Sequence, residues 1–148
     1  MALKEQLASD LKTAMKEKDA IRKNAVQMCR ASILQFEKDN KVTLDEQGVI
    51  EIIAKEVKKR KDVLPDYEKS GRIELIDELK REIDVLMPYL PEQLNVEEIE
   101  ALVKKAIAST NASAMKDMGK VMAALMPETK GKADGKVVNE LVKKYLSL

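Results

Sequence analysis

Met87-Pro88-Tyr89-Leu90-Pro91 interrupts a chain whose apolar residues otherwise recur at helical spacing. Two prolines three residues apart cannot lie inside one helix, because each lacks an amide donor and its ring crowds the preceding turn. The segment therefore marks a subdomain boundary, with residues 1–90 on one side and 91–148 on the other. Toward the N-terminus, Leu75, Ile76, Leu79, Ile83, Leu86 and Met87 share one face of a fourth helix, and Gly71 is the stop signal of a third. That third helix carries Val49, Ile50, Ile53, Val57 and Leu64. Thr43-Leu44-Asp45-Glu46 before it has the form of a capping box, in which Thr43 and Glu46 satisfy each other's backbone donors. Pro65 is expected to kink this helix or end it early.

Ile21, Ala25, Met28, Ser32 and Phe36, widened by Cys29 and Ile33, mark a second helix that Asp19 caps. Leu3, Leu7, Leu11 and Met15 recur at every fourth residue and line a first. Beyond the prolines, Asn95 caps a fifth helix with Ile99, Leu102, Val103 and Ile107 on its apolar face. Asp117 caps a sixth, Met118 to Leu125, ended by Pro127. A seventh begins near Asp134–Lys136, with Val137, Val138, Leu141, Val142 and Leu146 inward. No stretch alternates convincingly as a strand. The expected fold is all-α: an N-terminal four-helix unit, then a small three-helix C-terminal unit.

The 148 residues include no histidine, no tryptophan and a single cysteine, Cys29. A Ser-His-Asp triad, a Cys-His pair, a histidine-ligated zinc and an intramolecular disulfide are all excluded. Enzymes are disfavoured as a class. No apolar run approaches the roughly 7–15 residues of a secretory signal or the roughly 20 of a membrane span, so a cytoplasmic location without membrane attachment is expected. The net charge of +1 conceals an asymmetry. Residues 103–148 hold nine lysines against four acidic residues, net +5, whereas residues 1–102 carry net −4. A basic end on a slightly acidic body points to an anionic partner.

Lys130-Gly131-Lys132-Ala133-Asp134-Gly135-Lys136 invites comparison with a phosphate-binding P-loop and fails it. Three residues rather than four separate its first two glycines, Val137 stands where a Ser or Thr is needed, and no strand precedes it. A weaker anion site is still available where the last helix begins, since free amides and the helix dipole attract phosphate and Lys130, Lys132 and Lys136 surround that point. The competing expectation is an ordinary turn with solvated lysines, because a helix start binds anions only when its donors are left free. Lys58-Lys59-Arg60-Lys61 has Glu51, Glu56 and Asp62 beside it, which reads as a solvated face of paired charges. Met115, Met118, Met122 and Met126 recur at helical spacing and read first as core, second as an adaptable groove. Cys29 reads as a small buried side chain. Carboxylate neighbours such as Asp77 with Glu78, or Glu82 with Asp84, single out no catalytic pair. No catalytic residue, cofactor site or metal site is assigned.

Met118-Gly119-Lys120-Val121-Met122, followed by Lys130 to Asn139, resembles the signature of the GatB/YqeY family. Tyr89-Leu90-Pro91-Glu92-Gln93-Leu94 is similar to the hinge of that family, and Tyr67-Glu68-Lys69 before Gly71-Arg72 to its N-terminal half. The resemblance covers essentially the whole chain and is strongest to the free-standing YqeY-like proteins. These resemble the tail domain of the B subunit of bacterial tRNA-dependent amidotransferases, enzymes that convert misacylated Glu-tRNA or Asp-tRNA to the Gln or Asn form. Similar modules are appended to some glutaminyl-tRNA synthetases, and in both settings the tail helps to hold tRNA by its outer body. The resemblance implies an RNA contact in the C-terminal unit at Gly119, Lys120, Gly131, Lys132, Gly135 and Lys136, to which the anion-site reading adds Lys130.

The large catalytic part of the amidotransferase subunit is absent from this chain. A label of carbon–nitrogen ligase with glutamine as amide donor follows from the resemblance without the residues for the reaction. The expected function is a non-catalytic tRNA-binding or tRNA-associated helper. The alternatives are an accessory component of the amidotransferase, or a protein-interaction module docking on that enzyme or on an aminoacyl-tRNA synthetase.

Overall fold

The computed structural model describes residues 2–147, and over them the protein is all-α. It divides into two compact units, Met1–Leu90 and Pro91–Leu148. The first unit contains α1 (Leu3–Glu17), α2 (Ala20–Asn40), α3 (Glu46–Ser70) and α4 (Ile73–Leu86), followed by a 3₁₀ turn at Met87–Tyr89. Asp19 caps α2 by accepting a hydrogen bond from the Arg22 amide at 3.1 Å. Gly71 ends α3 at φ +71°, a left-handed conformation that glycine adopts without a Cβ penalty. Leu7, Val26, Cys29, Val49, Ile53 and Leu86 form the centre of this unit's core, and each buried aliphatic contributes roughly 1.5–3 kcal/mol.

Four local expectations are corrected here. Asp45, rather than Thr43, caps α3 by accepting from the Gly48 amide at 2.8 Å. Glu46 reaches away from that helix and accepts from the Leu3 amide at 2.8 Å, capping α1 instead. Pro65 does not end α3, which runs on to Ser70. The carbonyl robbed of its donor belongs to Lys61, an exposed residue, so water can replace the lost bond. The face of α1 also turns: Met15 is 57% exposed and Ala14 is buried in its place. Four residues advance about 400°, so Met15 lies about 120° round the helix from Leu3. On α2 the buried line runs through Ala25, Val26, Cys29 and Ile33, leaving Met28 and Phe36 exposed.

One group of charges is buried. Arg60 donates through Nη1 to Glu56 Oε2 at 3.1 Å and through Nε to Glu82 Oε2 at 3.0 Å, tying α3 to α4. Glu56 also accepts from the Ser32 hydroxyl at 2.7 Å and from Lys59 at 3.2 Å. The expectation of a wholly solvated face on this part of α3 therefore fails at Arg60, which is 8% exposed.

The second unit holds α5 (Val96–Ser109), a 3₁₀ turn at Met115–Asp117, α6 (Met118–Thr129) and α7 (Gly135–Leu146). Asn95 and Glu98 form a reciprocal capping box at the start of α5. Short connections make successive helices antiparallel, so α5 and α7 begin at the same end of the unit. The Leu94 amide donates to the Lys132 carbonyl there at 2.8 Å. Ile99, Val103, Val121, Leu125, Val138, Val142 and Leu146 fill the core. Like Pro65, Pro127 lies within its helix, and the carbonyl it frees belongs to exposed Ala123. The methionine stripe splits, with Met118 and Met122 against the core and Met115 and Met126 exposed.

Candidate functional site

The lysine-rich turn between α6 and α7 is built tightly. Thr129 is buried, and its carbonyl accepts from the amides of Lys132 at 2.9 Å and Ala133 at 3.0 Å. Gly131 makes the reversal at φ +77°, where a side chain would meet the left-handed penalty of roughly 1–2 kcal/mol. Its carbonyl accepts from the Gln93 side-chain amide at 2.8 Å. With the Leu94–Lys132 bond, this pins the turn to the segment that enters α5. Lys130, Lys132 and Lys136 are exposed around it, and Lys132 and Lys136 make no ion pair among the described residues.

Asp134 sets the chemistry of the start of α7. Its Oδ1 accepts from the Lys136 amide at 2.9 Å, which places a carboxylate on the positive end of the helix dipole. An anion approaching this end meets that carboxylate, so attraction here comes from the lysine side chains. Gly135 is in helical conformation at the first position of α7, and a Cβ there would meet nothing within 4 Å.

Gly119 and Lys120 are not part of this cluster. They occupy the first turn of α6, and the ten residues from Lys120 to Lys130 correspond to about 15 Å of helix. Two basic ends result. Around the second, Lys120 lies 3.7 Å from Asp117, and the ammonium groups of Lys104 and Lys144 stand 5.2 and 5.5 Å from the ring centre of Tyr145. Such contacts hold two charges on one ring. Asp117 is buried and turns backward, accepting from the Ser113 amide at 2.9 Å, so it makes no capping hydrogen bond to the amides of α6. The Ser113 amide leads the causes that hold its carboxyl below the usual range. Gly119 is exposed, and a Cβ on it would touch nothing within 4 Å. All nine lysines of residues 103–148 are exposed.

Tyr145 with its two lysines is not singled out by the sequence; the signal available is an aromatic beside Lys143-Lys144, and only the packing of α5 on α7 adds Lys104. Elsewhere, Cys29 is fully buried, and desolvation first, then Glu56, pushes its thiol up to about 12. No group of three or more His, Cys, Asp or Glu among the described residues could hold a metal ion. No helix among them is long and apolar enough to cross a membrane.

The profile of the family described as Yqey-like protein matches residues 4–146. Four curated relatives match as well, all named altered inheritance of mitochondria protein 41, mitochondrial. The one from Pyrenophora tritici-repentis is 27% identical over 144 residues, covering 95% of this chain and 79% of the relative. The Candida glabrata protein is 36% identical over 68% of this chain and 56% of its own length. For Kluyveromyces lactis the figures are 32%, 72% and 60%. The cytoplasmic expectation is overturned by these names, which are uniformly mitochondrial. It rested on the lack of a secretory signal and a membrane span, and neither separates one aqueous compartment from another.

Proposed function

The chain belongs to the YqeY-like protein family, and from that premise we propose that it is a non-catalytic module that associates with tRNA through its lysine-rich three-helix unit. The observation that carries this reading is the exposure of all nine lysines of residues 103–148, with Lys132 and Lys136 making no ion pair among the described residues around a turn bonded to Gln93 and Leu94. Lysines free of carboxylate partners can neutralise phosphates and release the counterions around them, so binding should weaken steeply with salt. Asp134 at the start of α7 means that the contact is made by side chains, and that Gly131 shapes the turn that presents them. The Gly119–Lys120 end, with Tyr145 between two lysines, offers a second contact on the same unit.

Titration of tRNA across a salt series, with the wild type and a Lys132→Glu, Lys136→Glu variant, tests this. The wild type should bind at low salt, and the variant should lose affinity and show a shallower salt slope. The slope should fall by about 0.9 for each phosphate no longer neutralised, if duplex RNA behaves as duplex DNA does. Equal binding by both would remove the assigned turn; no binding at low salt would remove the tRNA reading for this chain. The mitochondrial names of the relatives supply the setting to examine first, by imaging the tagged full chain against a mitochondrial marker.

A further inference from the structure

The first unit contains a cleft of about 360 Å³ between the start of α1, the start of α2 and the end of α4. Its polar lining is Gln6, Asp10, Arg22, Asp84 and Tyr89, and Val85 is part of its apolar wall. The Tyr89 hydroxyl donates to Asp10 Oδ2. This fixes one carboxylate oxygen and leaves Oδ1 open. Burial, and then Asp10, pushes the Tyr89 hydroxyl above its usual range, so it keeps the proton that it donates. Arg22 has its Nε 3.4 Å from Asp19 Oδ2, and both its Nη nitrogens are unbonded among the described residues. Asp84 and the side-chain amide of Gln6 likewise have no partner among them. Arg22, paired with Asp19 only through Nε, thus lines one cleft with Asp10 and Asp84 and makes no ion pair with either among the described residues.

We propose that this cleft binds a small zwitterion of the α-amino-acid class, its carboxylate on the Nη face of Arg22 and its ammonium group on Asp10 and Asp84. Arginine's paired Nη donors match a carboxylate's two oxygens. A ligand bearing only one of the two charges leaves the opposite wall of the cleft unused. The volume lies near the lower end of the roughly 300–1,000 Å³ range of ligand sites, which suits a compact molecule. Arg22 already carries Asp19 on its Nε side, so Asp10 and Asp84 leave the cleft negative overall, and amino acids with a basic side chain fit best. The site is in the other unit from the lysines assigned to RNA and does not depend on that assignment.

The test is an NMR titration of the full chain with lysine, alanine, acetate and 1,5-diaminopentane, the last being lysine without its carboxylate. Lysine should give saturable shifts at the amides of Asp10, Arg22, Asp84 and Tyr89, with alanine weaker. Acetate and the diamine should bind at least about tenfold more weakly than lysine, the size of one charge-assisted hydrogen bond. Arg22→Gln should weaken lysine by about the same factor and leave the diamine unchanged, whereas Asp84→Asn should weaken both. Both variants alter solvent-reachable side chains, and an unchanged spectrum away from the cleft shows that the fold is kept. Absence of saturable shifts up to about 10 mM lysine, shifts mapping elsewhere, or a diamine that binds as tightly as lysine would each overturn the proposal. Neither variant should change tRNA binding, so a failure here is distinct from a failure of the tRNA reading.

Discussion

Replacing Arg60 by alanine should destabilise the first unit far more than removal of a surface lysine. Arg60 is 8% exposed and Glu56 3%, and the guanidinium bonds both Glu56 and Glu82. Without it Glu56 is a buried carboxylate whose remaining partners are the Ser32 hydroxyl and the exposed Lys59 ammonium. Breaking a buried pair from one side costs roughly 3–5 kcal/mol; because Ser32 and Lys59 remain, the expected loss at pH 7 is about 3 kcal/mol. Urea denaturation followed by circular dichroism reads it, and the same loss lowers Tm by more than about 10 °C for a unit of this size.

The pH dependence carries a sign that a mere packing defect would not. In the wild type, burial raises the Glu56 carboxyl, but the bonds from Ser32, Arg60 and Lys59 outweigh it, and its pKa ends below the usual 4.5. The group therefore stabilises the fold above that unfolded value, and the contribution fades as pH falls through the lower folded value. In Arg60→Ala, burial dominates and the folded pKa rises, so protonation of Glu56 relieves the penalty. The gap between variant and wild type should shrink as pH falls from 7 toward 4. A loss below about 1 kcal/mol at pH 7, or a gap that stays constant with pH, would refute the reasoning.

Pro65→Ala and Pro127→Ala should each stabilise by about 1–2 kcal/mol in the same denaturation assay, since an interior proline costs roughly 3 and returns up to about 1 through the unfolded chain. Gly119→Ala should stabilise by about 0.5–1 kcal/mol, because its Cβ meets nothing; if it also weakens tRNA binding, the glycine serves approach of the partner. Cys29, buried and with its thiol pushed up to about 12, should resist a thiol reagent at pH 8 in the native protein. It should react fully once urea unfolds the chain, and rapid native labelling would contradict the burial.

Signals complete within a few residues are legible. Asn95 with Glu98 and Asp134 at the start of α7 can be read because cap, donor and helix all lie within one turn. Some failures are local, as where Asp117 bonds Ser113 instead of capping α6, and others involve distant partners. Spacing pairs Glu46 with Thr43, but Glu46 bonds Leu3, 43 residues away. Arg60 looks solvated because its helix neighbours are charged, while Glu82 lies 22 residues further on. Pro65 reads as a kink or a stop and Pro127 as a stop, because the rule weighs the missing bond and not the solvent available to replace it. At the candidate site, the residues for Gly119–Lys120 and for the 130–136 turn are legible, but their separation into two ends follows from α6 continuing past Pro127.

By itself the sequence determined that the chain is helical, where most helices begin, and that its lysines gather toward the C-terminus. Periodicity, caps and charge counts are properties of neighbours along the chain. Tertiary structure alone decided which charges are buried and which charged groups of separate helices line one cleft. Those outcomes depend on solvent exclusion and on contacts between helices, and no spacing along the chain encodes either one.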